Sequence, residues 1–273
     1  MTPTRRFLGN WLPVYAFLYL GFLYLPVLFL PIFSVNTAAT PKFPLQGVTL
    51  KWYAGLPHTP ALLDAARNSL VVAVSAALLA TVLGICAARA LTRYRFAGRR
   101  SINGLIMAPL VLPEIIVAIA MLLVLLSLGL ELSLLTVVLG HVLICVPYSV
   151  TVLTSGFEGF DRSLEEASAD LGETAFGTFW RVTLPMVAPA IISSLLVSFT
   201  ISLDEFIMAY FLAGTETTLP VYIWGQLRFA AKLPGVLALG TLLLVGSFVL
   251  LTAAEMLRRR AETRIKSAGV ALA

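Results

Sequence analysis

The sequence predicts an all-α membrane protein with six transmembrane helices. Hydrophobic residues make up 59% of the 273-residue chain and charged residues only 12%, about half the charged share of a soluble domain. Mean hydropathy is +0.94. The apolar residues also gather into six runs of about twenty residues or more, each enough to cross a hydrocarbon layer of about 30 Å as a helix.

The first run, roughly Trp11 to Phe33, follows Arg5-Arg6. That pair superficially suggests an export signal, but the run is too long for a signal-peptide core and reads as an uncleaved span. Pro26 and Pro31 are expected to kink or end it. A polar, proline-dotted stretch from Ser34 to Arg67 follows, with Trp52 and Tyr53 placed as interfacial aromatics. Asn68-Ser69 reads as the start of a second span reaching Leu91. A turn holding Arg89, Arg93, Arg95, Arg99 and Arg100 leads to a third span, about Gly104 to Leu128, interrupted by Pro109 and Pro113. The fourth covers about Leu134 to Leu153, the fifth Val187 to Leu212, and the sixth Gly235 to Met256.

Six spans put both termini on one side. With the N-terminus inside, 14 Lys and Arg residues fall on inner segments and 5 on outer ones. The positive-inside rule therefore places both termini, and the charged segment between spans four and five, in the cytoplasm. Cys86 and Cys145 lie inside apolar runs, and with His58 and His141 they build neither a disulfide framework nor a metal site. No catalytic constellation is readable. No phosphate-binding Gly-x-x-x-x-Gly-Lys-Ser/Thr pattern occurs, so the chain carries no P-loop of its own for ATP.

The charged segment, residues 158–185, reads EGFDRSLEEASADLGETAFGTFWRVTLP. Leu164, Ala167, Ser168 and Leu171 fall on one helical face, flanked by Glu165, Glu166 and Asp170. Gly172 is placed as a C-terminal stop. Phe176, Phe179 and Trp180 form a second cluster at helical spacing, closed by Arg181 and Pro185. An amphipathic helix lying on the membrane is the bland reading. Its carboxylates disfavour anionic lipid and point instead to a protein partner.

Glu166-Ala167-Ser168, three residues, Gly172, nine residues and Val182-Thr183-Leu184-Pro185 resemble the EAA loop of ABC-importer permeases. Ser168 and Val182 depart from the family's Ala and Ile by small changes. The resemblance implies a type I ABC importer permease fold, one permease domain over residues 1–273, in a bacterial inner membrane. It also implies that residues 158–185 dock into an ATPase subunit, with Glu166, Ala167, Ser168, Asp170, Gly172, Leu184 and Pro185 as the coupling residues.

Carboxylates inside spans are costly and tend to be functional. Counted along straight helices, Glu114 lies about 15 Å into the third span and Asp204 and Glu205 about 25 Å into the fifth. That puts Glu114 near the midplane and the pair toward the outer leaflet. Glu205 falls on the helical face of Ser194, Ser198 and Ser202, and Asp204 on that of Ser193 and Thr200. The serines are consistent with close helix packing or with a polar path, and the carboxylates with a structural pair or an anionic route for a cation.

Leu50-Lys51-Trp52-Tyr53, Arg93-Tyr94-Arg95-Phe96, Pro113-Glu114-Ile115-Ile116, Gly159-Phe160-Asp161 and residues 199–205, Phe-Thr-Ile-Ser-Leu-Asp-Glu, resemble the spermidine/putrescine branch of these permeases. That resemblance implies a substrate path through Glu114, Asp204, Glu205, Trp52 and Ser202. It implies a second permease subunit, two ATP-binding cassette subunits carrying ATP and Mg, and a periplasmic or extracellular solute-binding protein, with membrane lipid around them and no nucleic acid. An importer for another small solute, such as an aminophosphonate, is the alternative within transport. A membrane-embedded enzyme using Glu114, Asp204 and His141 is the alternative outside it.

Overall fold

The computed structural model describes the backbone of residues 3–270 except residue 39, and the side chains of residues 11, 13–38, 40–249, 252 and 256. The side chains of the basic flanks Arg5-Arg6 and Arg258 to Lys266 lie outside this set. All the regular elements among the described residues are helices, with one isolated antiparallel bridge between Asn36 and Val48. The chain falls into two compact units, residues 1–60 with 223–246, and residues 61–222 with 247–273.

In the first unit, α1 (Pro3–Ser34) runs through Pro26 and Pro31 and ends where Ser34 turns its hydroxyl back to the Pro31 carbonyl at 2.8 Å. The chain then doubles back through the Asn36–Val48 bridge, and α2 (Lys51–Gly55) follows. Tyr53 shares a hydrogen bond with Ser34 at 2.5 Å. Phe33 meets Phe43 edge to face at 4.9 Å.

The second unit opens within α3 (Pro60–Arg93), which starts eight residues before the expected position. Proline suits the first helical turn. Asn68, read as the start of this span, lies inside the helix and donates its amide to Glu216 Oε2 (3.2 Å) and to the Thr217 carbonyl (3.0 Å). The expected third span is two helices, α4 (Arg99–Val111) and α5 (Glu114–Ser127), bent by 108°. The break falls at Pro113 because the residue before a proline is pushed out of the helical region, and Leu112 sits at φ −81°, ψ 144°. Pro109 stays inside α4.

α6 (Leu134–Glu158) is followed by three short helices, α7 (Ser163–Asp170), α8 (Ala175–Thr178) and α9 (Leu184–Met186), with a π-helical turn at Phe179–Thr183 between the last two. α10 (Ala188–Asp204) and α11 (Ile207–Leu212) divide the expected fifth span. α12 (Leu219–Leu227) and α13 (Leu233–Val270) complete the chain. Among the described residues four helices are long and apolar enough to cross a membrane, and up to six spans result if α4 with α5, and Ala175–Met186 with α10 (bent by 69°), each count as one.

Small residues hold this unit together. A methyl on Gly156 of α6 would lie 2.3 Å from the Ala190 methyl of α10, so the two backbones meet there with no room for a side chain. Above that contact a buried ladder joins Thr81, Ser194, Ser149 and Ser198 at 2.8–3.1 Å, and His141 Nδ1 meets Ser202 Oγ at 2.7 Å. Each of these buried hydroxyls has a side-chain partner. The serine stripe of α10 is thus a packing face.

Candidate functional site

Two constellations stand out in the second unit. The first is the charged segment. Asp161 accepts the Ser163 backbone N–H at 2.9 Å, which opens α7 and holds its carboxyl below the usual range. α7 stops where expected, because Gly172 adopts φ +85°, a left-handed conformation that side chains resist. Thr174 then caps α8 by accepting the Gly177 N–H at 3.1 Å.

The two adjacent glutamates point different ways. Glu166 is exposed, pairing only with Arg162 one turn away. Glu165 turns inward, where Arg93 Nε approaches its Oε2 at 3.0 Å and Thr183 Oγ1 donates to its Oε1 at 2.7 Å. Outward, Ala167 and Asp170 are exposed beside Leu171, which is 90% exposed, and Phe176, 73% exposed. Leu164, Ala167, Leu171, Gly172 and Val182 line an open groove of about 510 Å³, rimmed by Ser168, Glu173 and Arg181. Ser168 also shares a hydrogen bond with Thr178 at 2.9 Å. Leu184 and Pro185 lie in α9, half-buried and exposed respectively. Large apolar side chains thus stand exposed among charged ones here.

The second constellation is acidic. Glu114 occupies the first turn of α5, at the 108° break. Glu205 follows the last residue of α10 with φ −70°, ψ 118°, and accepts the Met208 N–H at 3.0 Å, which starts α11. The two carboxyl groups come within hydrogen-bonding reach of each other. This corrects two expectations. Depth counting on straight helices separates the two levels, but both spans break at these residues and bring them together. Glu205 also leaves the Ser194–Ser198–Ser202 face, because the helix that defines that face ends one residue earlier. Asp204, the last residue of α10, is exposed.

Ser202 is buried against His141 in the helix interface. Trp52 belongs to the first unit, donating Nε1–H to the Asn36 carbonyl at 2.8 Å while the Lys51 ammonium lies 4.4 Å from its ring centre. Sequence reasoning passed over Arg89, whose guanidinium lies 4.2 Å from the Phe179 ring centre, and the inward role of Glu165. The available signal was the four-residue spacing of Arg89 and Arg93, which stacks them on one face of α3.

Comparison with known proteins decides the family. Residues 80–263 match the model of the binding-protein-dependent transport system inner membrane component. The chain belongs to that family. Its relatives include the spermidine/putrescine transport system permease protein PotC of Escherichia coli K12, 34% identical over 249 residues, covering 90% of this chain and 91% of PotC. The putrescine transport system permease protein PotI of the same strain is 39% identical over 206 residues, covering 72% and 73%. Among solved structures, a bacterial ABC transporter involved in import of the acidic polysaccharide alginate superposes with a TM-score of 0.74 at 18% identity, over 95% of this chain and 98% of that one. As an inner membrane component of this family, with several membrane-length apolar helices, the chain is a multi-pass transport permease, and the superposition gives it the ABC importer permease fold.

Proposed function

We propose that this permease is one transmembrane subunit of an ATP-driven importer in a bacterial inner membrane, and that it passes polyamines inward. The observation that carries the substrate class is the meeting of Glu114 and Glu205 at two helix breaks, one before α5 and one after α10. Acidic side chains brought together in an apolar setting attract a cation at a separation where water would otherwise weaken them. A polyamine's ammonium groups, strung along an apolar chain, match such a site, and the names of PotC and PotI support it. Asp204, one residue away, is assigned to the rim of the path. Ser202 supports the packing of α10 on α6 beside it.

Both termini and residues 158–185 face the cytoplasm in this reading. The exposed face of α7, with Glu166, Ala167, Asp170, Leu171 and Gly172, docks on an ATP-binding cassette subunit, with Ser168, Leu184 and Pro185 shaping it from behind. That partner holds ATP and Mg, while this chain moves with it. A second permease subunit, two ATPase subunits and an external solute-binding protein complete the assembly. Reconstituting the complex in liposomes and measuring labelled spermidine and putrescine uptake tests this. Uptake that needs ATP and the binding protein supports it, and polyamine-blind or ATP-independent uptake contradicts it.

A further inference from the structure

Resting on the assignment of residues 158–185 as the ATPase contact, we propose that Glu165 is a positioning residue that fixes the coupling segment to the end of α3 through Arg93, so that movement of the ATPase enters the spans there. Of the ion pairs in this region, Arg162–Glu166 lies open, with side chains 68% and 65% exposed. Exposed pairs of that kind contribute little. Arg93–Glu165 is different, at 3.0 Å with side chains only 14% and 17% exposed. Breaking such a pair leaves a charge buried without its partner.

The connections around Glu165 reach every part of the segment. Its second oxygen accepts from Thr183, which is fully buried in the π-helical turn, so α7 and that turn are tied together. Arg93 also reaches the Phe160 carbonyl at 3.4 Å and lies 5.5 Å from that ring's centre, before α7. One turn back on the same face of α3, Arg89 sits over Phe179 at the start of the π-helical turn. Two arginines of one helix thus grip the segment before, within and after α7. Beneath them Ala88, Leu153, Phe157, Phe160 and Val187 form a buried apolar cluster joining α3, α6 and the start of α10. The π-helical turn, a widened coil frequent at functional sites, places Thr183 in this clamp. Residues 160–187 therefore move with the last turn of α3 as one body, while Glu166 and Leu171 remain free for the partner.

The test uses the complete reconstituted complex and compares wild type with Glu165→Gln, Arg93→Glu and the swapped pair Arg93→Glu/Glu165→Arg. Glu165→Gln should keep ATPase co-purification and basal ATP hydrolysis, while solute-stimulated hydrolysis and uptake per ATP fall about five- to tenfold. The swapped pair should recover most of that ratio, which a merely structural loss would not. Unchanged uptake per ATP in Glu165→Gln overturns the clamp. If single variants fail to assemble, a swapped pair that assembles without regaining the ratio overturns it as well. Glu166→Lys separates the underlying assignment. Normal ATPase binding by Glu166→Lys removes the docking surface and the clamp with it. Lost binding there with full coupling in Glu165→Gln removes the clamp alone.

Discussion

Glu205, at the break after α10, comes within hydrogen-bonding reach of Glu114 at the break before α5, 91 residues away in sequence. Each carboxyl sits at a helix break, Glu114 where α5 starts and Glu205 where α10 stops, so neither is held within a regular lipid-facing stripe. Removing charge from Glu205 as Gln keeps its shape and its acceptor for Met208. At an effective dielectric near 20 the lost attraction is about 4 kcal/mol at contact. Desolvation of the solute offsets much of it, so uptake should fall roughly ten- to thirtyfold. Glu205→Asp should retain more. Asp204→Asn should alter complex yield more than transport, and measuring both quantities side by side separates the two.

Docking should depend on the exposed face of α7. Gly172→Val places a β-branched residue at φ +85°, a conformation costing about 1–2 kcal/mol for L-residues. It should shift Leu171 and cut ATPase co-purification and uptake together. Leu171→Asp should weaken binding on the order of tenfold with the fold unchanged. Pull-down of the ATPase subunit by each variant checks this.

Packing of α6 on α10 should tolerate nothing larger than glycine at residue 156. Gly156→Leu has to displace the Ala190 methyl and should cost about 1–3 kcal/mol. Gly104→Ala, with open space around it, should change little. Thermal unfolding in detergent distinguishes the two.

Much of this arrangement was legible in the sequence, and the misses have physical causes. The end of α7 could be read from Gly172, because glycine there meets a conformational need. The break at Pro113 was visible, yet its 108° angle was not, since tertiary packing sets the direction in which a broken helix resumes. The break after Asp204 carries neither proline nor glycine. Its trace is an acid three residues before Met208, a capping signal easily taken for a site residue alone. Glu165 and Glu166 are chemically identical neighbours, and only the packing of Arg93 and Thr183 tells the inward one from the outward one.

Topology should follow the arginines. Cysteines placed at Thr40 and Thr217 should react with an impermeant thiol reagent in cells stripped of the outer membrane. One at Glu173 should react only after the inner membrane is opened. Labelling of residue 173 from outside would reverse the assigned orientation.

The most direct test of the acidic path is the initial rate of ATP-driven spermidine uptake by liposomes carrying the complete complex with Glu114→Gln/Glu205→Gln. Touching residues do not act additively, so the double variant should lose on the order of thirtyfold or somewhat more, not the product of the two single losses. Complex yield should stay near wild type. Full spermidine uptake by the double variant at unchanged yield would contradict the cation path and point to a solute without positive charge.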